Sequence, residues 1–134
     1  RKIGLLQEYH DKLKPYAALA TSVLLDNEEK QAAMERWFML MVDEAVDINA
    51  ALAYQLGKKI PESNKSTFYE LVPLGIIDES FSARISESVK IRNQLAHDYE
   101  KLQKSVAVKE MKNFSKLYEE YTATLVKRFI SDVE

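Results

Sequence analysis

Apolar side chains recur at intervals of three and four residues along almost the whole of this chain. Leu6, Tyr9, Leu13, Tyr16, Ala20 and Val23 form one series. Met34, Trp37, Phe38, Met41, Ala45, Ile48 and Leu52 form a second, and Met111, Phe114, Tyr118, Tyr121, Leu125 and Phe129 a third. That spacing lays an apolar stripe along one face of an α-helix, and no stretch alternates with the period of a strand. Only three glycines and three prolines occur in 134 residues, which leaves little turn material. The chain is expected to be all-α.

A first helix is predicted from about Ile3 to Leu25, bent at Pro15, which has no amide to donate and crowds the preceding turn. Asp26 with Glu29 resembles a capping box for the second helix, which Gly57 and Pro61 should end. A short helix follows at about Thr67 to Val72, closed by Pro73 and Gly75. Asp78 or Ser80 can cap a fourth helix carrying Phe81, Ile85 and Val89. After a polar break near Glu100 to Lys104, a last helix is expected from about Ser105 to Ile130. Four substantial helices with short connections imply an antiparallel four-helix bundle with one additional short helix. With 46% hydrophobic residues and no linker-like stretch, residues 1–134 read as a single domain.

Cysteine is absent, which excludes disulfides and thiolate metal sites and fits a cytoplasmic protein. A secretory signal or membrane span is not expected, because no basic stretch leads into a long apolar run. The net charge of −2 hides an asymmetry. Seven acids and two bases lie between Asp26 and Ala50, whereas seven bases and three acids lie between Lys90 and Lys116. A basic flank of that kind suits a phosphate backbone, although solvated helix faces often carry like charges.

One segment departs from the pattern. Wound at about 100° per residue, the fourth helix places Arg92 about 20° from Phe81, between Ile85 and Leu95. A charge in the middle of an apolar stripe is expensive without partners. Arg92 must meet a carboxylate, line a cleft or lie at a subunit interface. Glu44 is the expected counter-ion, since it borders the second helix's stripe while Asp43 and Asp47 face away. Five residues on stands His97, then Tyr99. In one unbroken helix His97 lies about 140° round from Arg92. The two converge only if the helix breaks between them or a second subunit brings its copy across. His10, alone on a seam, reads as a structural residue.

The run Arg92-Asn93-Gln94-Leu95-Ala96-His97-Asp98-Tyr99 fits R-x-x-x-x-H-x-Y, with a polar residue after the Arg. This pattern resembles the signature of HEPN domains, and its H-x-Y extension resembles the HepT-like toxins. Leu74-Gly75-Ile76-Ile77-Asp78 is similar to the family's turn before the motif helix, and Ala45-Val46-Asp47-Ile48-Asn49 to its second-helix segment. The likeness covers about Leu5 to Ile130.

The resemblance implies metal-independent RNA cleavage, in which a 2′-hydroxyl attacks the neighbouring phosphate, by the toxin of a type VII-like toxin–antitoxin pair. His97 would then be the acid/base, since an imidazole with an ordinary pKa near ~6.5 fills either proton role at neutral pH. Arg92 would offer a permanently charged fork to phosphate oxygens, and Asn93 would orient phosphate or His97. Two proton transfers call for two imidazoles, which a homodimer would supply. The resemblance also makes Tyr99 the acceptor of AMP from a partner nucleotidyltransferase antitoxin, with which the chain could form a hetero-oligomer. No metal, cofactor or membrane is expected. A different class of reading keeps the helices and makes the chain a non-catalytic nucleotide- or substrate-binding half of a nucleotidyltransferase. A diiron bundle is excluded, because neither histidine has a Glu three positions before it.

Overall fold

The computed structural model describes residues 2–57 and 62–129. Five α-helices follow in order: α1 (Lys2–Ala17), α2 (Thr21–Leu25), α3 (Glu28–Gln55), α4 (Glu79–His97) and α5 (Lys104–Phe129). Short 3₁₀ turns at Lys65–Thr67 and Tyr69–Leu71 stand in place of the expected short helix, and a third covers Tyr99–Lys101. No strand occurs among the described residues.

The four long helices close a ring in which α3 packs on α1 and α4, and α5 packs on the same two. Neighbours in the ring are antiparallel. Opposite helices run together, as the pairs Phe38–Phe114 and Asn49–Tyr121 between α3 and α5 require. The core centres on Leu6, Leu13, Phe38, Met41, Ile85, Met111, Tyr118 and Tyr121. Several of its polar atoms are satisfied across helices. Ser88 Oγ on α4 is 2.8 Å from the Tyr118 hydroxyl, and the Tyr121 hydroxyl donates to Asn49 Oδ1. Asn49 Nδ2 in turn donates to Thr67 Oγ1 at 3.2 Å, tying the 3₁₀ segment to α3. Buried hydrogen bonds of this kind fix helix register, because slippage would orphan several groups at once.

Two local expectations are corrected, and one choice between caps is decided. The first helix does not run on to Leu25: α1 ends at Ala17, two residues past Pro15, and α2 begins at Thr21. Lys112 Nζ on α5 donates to the Ala17 and Leu19 carbonyls, in place of the helical amides that the break after Ala17 takes away from them. The second helix is capped by Asn27, not Asp26, since the Asn27 side chain accepts from Lys30 N at 3.0 Å while Asp26 closes α2. Asp78 rather than Ser80 caps α4, accepting from Phe81 N at 2.7 Å. Gly57 takes the positive φ of +81° expected past the end of α3. Pro61 and Ile130 lie outside the described residues.

Candidate functional site

α4 brings the motif to one end of the bundle. It is continuous from Glu79 to His97, and the backbone leaves the helix at Asp98, where φ is −127° and ψ 36°. The helix therefore breaks after His97 and not between His97 and Arg92. About 140° and one and a half turns separate the two side chains. Among the described residues no hydrogen bond or ion pair links them.

Arg92 is half-buried against α3. Its Nε lies 2.8 Å from Asp43 Oδ1 and its Nη2 donates to Asp43 Oδ2 at 3.2 Å. The Nε–H is not well aimed at its oxygen, so this contact is an ion pair more than a hydrogen bond. Nη1 reaches the side-chain oxygen of Asn93 at 3.4 Å, toward the surface. Asp43 and not Glu44 is thus the counter-ion. The cause is that α3 buries two flanks. Glu44 sits on the α1 flank, within electrostatic reach of Lys2, and burial raises its pKa. Asp43 sits on the α4 flank, which a single stripe drawn on α3 leaves out.

His97 and Asn93 are exposed. Tyr99, in the turn just beyond α4, is 40% exposed, yet its hydroxyl is turned inward. It donates to Glu35 Oε2 on α3 at 3.2 Å, and Lys104 Nζ on α5 lies 5.6 Å from the ring centre. Burial raises the Glu35 carboxyl pKa, partly offset by the Tyr99 hydrogen bond and by Lys104. Burial and the Glu35 carboxylate push the Tyr99 phenol up in turn. Glu35 was not anticipated. The signal for it is its place in the row Glu35, Val42 and Val46, all buried on one face of α3.

His10 is structural, as expected. It is buried between α1 and α5, with Nε2 3.0 Å from the Ser115 carbonyl. Among the described residues no group of three or more His, Asp or Glu is arranged to hold a metal ion, and no helix is long and apolar enough to cross a membrane.

The model of the ribonuclease HepT-like family matches residues 6–125. A tRNA nuclease HepT of Aphanizomenon flos-aquae is 28% identical over 99 residues, covering 74% of this chain and 67% of that protein. A putative RNase of Archaeoglobus fulgidus is 33% identical over 93 residues, covering 69% and 64%. The chain thus spans about two thirds of the length of either relative. The fold is similar to that of a Shewanella oneidensis HEPN toxin solved tri-AMPylated in complex with MNT antitoxin, with a TM-score of 0.83 at 18% identity over 95% of both chains. It is also similar to YutE, a cytosolic protein of unknown function from Bacillus subtilis, with a TM-score of 0.80 at 13% identity over 98% and 91%. At these identities the structural likeness speaks to the fold alone.

Proposed function

Because the chain belongs to the HepT-like ribonuclease family, we propose that it is a metal-independent endoribonuclease toxin whose cleft forms between two copies. The observation that carries this reading is the unbroken course of α4 through His97. One protomer presents Arg92 and His97 on different sides of the helix. A two-fold axis beside the end of α4 would set His97 of one protomer against Arg92 of the other.

In that cleft a neutral His97 imidazole takes the proton of the attacking 2′-hydroxyl. The second His97, protonated, gives its proton to the departing 5′-oxygen, so a cyclic phosphate and a free hydroxyl result. Arg92 stabilises the charge that gathers on the phosphorane oxygens, and Asp43 holds its fork in place. Asn93, already in contact with Arg92, orients the phosphate. Tyr99 is the site at which a partner nucleotidyltransferase antitoxin attaches AMP. Negative phosphates two residues from His97 would repel RNA phosphate from the same cleft. The relatives named as a tRNA nuclease and an RNase, and the AMPylated toxin of like fold, support this assignment.

Cleavage of a tRNA pool by the unmodified protein tests it. Arg92→Ala and His97→Ala should each lower the rate by at least about 10²-fold, with the melting temperature nearly unchanged and EDTA without effect. Full activity in His97→Gln would leave a helical nucleotide-binding partner as the better description.

A further inference from the structure

We propose that Glu35 is the proton acceptor for nucleotidyl transfer to Tyr99, so that this chain contributes a catalytic residue to its own modification. The inference rests on the reading of Tyr99 as the nucleotide acceptor. Glu35 lies on α3, far from the motif in sequence, and is 8% exposed. Its only hydrogen bond among the described residues comes from the Tyr99 hydroxyl, at 3.2 Å. A carboxylate buried with one weak donor is poorly compensated, which a purely structural site would avoid.

The reaction gives that arrangement a purpose. A phenol must lose its proton to attack phosphorus, and here burial, then the charged neighbours Glu35 and Glu28 on α3, hold the proton on more firmly. Lys104 on α5 is the cation at the site. Phenolate is therefore scarce at neutral pH, and an acceptor within hydrogen-bond distance is needed. Burial also strengthens Glu35 as a base, because it raises the carboxyl's affinity for the proton. In the step, Tyr99 Oη forms a bond to the α-phosphorus of a nucleoside triphosphate held by the partner nucleotidyltransferase. The bond from that phosphorus to the β-phosphate bridging oxygen breaks, and pyrophosphate leaves with the electron pair. The phenolic proton passes to Glu35 Oε2. Lys104, over the exposed ring, would draw the triphosphate toward Tyr99.

The experiment incubates the protein with its partner nucleotidyltransferase, ATP and Mg²⁺, and follows AMP addition by intact mass and peptide mapping. Wild type should gain AMP on Tyr99, at a rate that rises with pH as the Glu35 carboxyl ionises and then levels off. Glu35→Gln should slow the addition by about 10²-fold and remove that rise. Glu35→Asp, which keeps a carboxylate, should fall between the two, with melting curves checking that all are folded. Addition to Tyr99 at the wild-type rate in Glu35→Gln would overturn the role of Glu35 and leave the acceptor reading intact. Equal losses in Glu35→Gln and Glu35→Asp, with the pH rise still present, would also overturn it. A wild type that gains no AMP on Tyr99 would sink the acceptor reading itself, and the inference with it.

Discussion

Arg92 stands on α4 where an unpaired charge would be least tolerable, among Phe81, Ile85 and Leu95. Asp43 removes that difficulty by meeting Nε and Nη2 from the α4 flank of α3. Two of the guanidinium nitrogens are thereby engaged, and Nη1 is left toward Asn93 and the surface, the direction from which a phosphate would come. Asp43 is more than a third exposed, so solvent screens the pair and its contribution should be modest. A double-mutant cycle of Asp43→Ala and Arg92→Ala, read by urea unfolding, should give a coupling of about 1 kcal/mol. Zero coupling would mean that Asp43 does not position the guanidinium.

At the scale of elements, α1 is fastened to α5 through His10, whose Nε2 donates to the Ser115 carbonyl. Burial lowers the imidazole pKa, against opposing contributions from that hydrogen bond, Glu119 and Asp11, while Lys14 reinforces the lowering. The unfolded chain therefore binds a proton, on acidification through the ordinary imidazole range, that the folded chain resists. Stability contributed by neutral His10 is present above that range and is lost as pH falls. Glu35 and Glu44, raised by burial, work in the opposite sense nearer the carboxylate range. The melting temperature should thus drop more for wild type than for His10→Gln between about pH 7.5 and about pH 5.5, since Gln retains a donor and cannot charge. Identical slopes would show that His10 carries no proton linkage. The elements themselves were largely legible in the sequence, because a period of three and four residues with few breakers admits little but helices. Where the reading failed, tertiary packing was the reason. Pro15 predicts a bend, but the α1 break is completed by Lys112, a residue nearly a hundred positions away. A single stripe on α3 hides Asp43 and Glu35, because α3 buries one flank on α1 and another on α4. Arg92, His97, Asn93 and Tyr99 stand out as candidates because the first violates its own helix's stripe and the rest follow it in a recognisable spacing.

The bundle as a whole places the motif at one end, with Arg92 and His97 on different sides of α4. α4 runs unbroken through His97, so a single protomer cannot turn Arg92 and His97 toward one phosphate without unwinding its last turn. The proposed dimer would solve this without deforming the helix, and it makes a prediction that no monomeric site shares. Arg92→Ala and His97→Ala homodimers each lack one kind of group altogether, both guanidiniums or both imidazoles. A heterodimer of the two keeps, in the shared cleft, one His97 from one protomer and one Arg92 from the other. Random reassembly after mild unfolding makes half the dimers mixed, so the mixture should cleave RNA faster than either parent, yet stay well below wild type because one imidazole serves both proton transfers. RNA cleavage by the reassembled mixture, set against each parent at equal concentration, reads this directly. Recovery requires that side chains from two chains share a phosphate. An inactive mixture, in which mass spectrometry nonetheless finds the mixed dimer, would place both groups' work within one chain, against the course of α4.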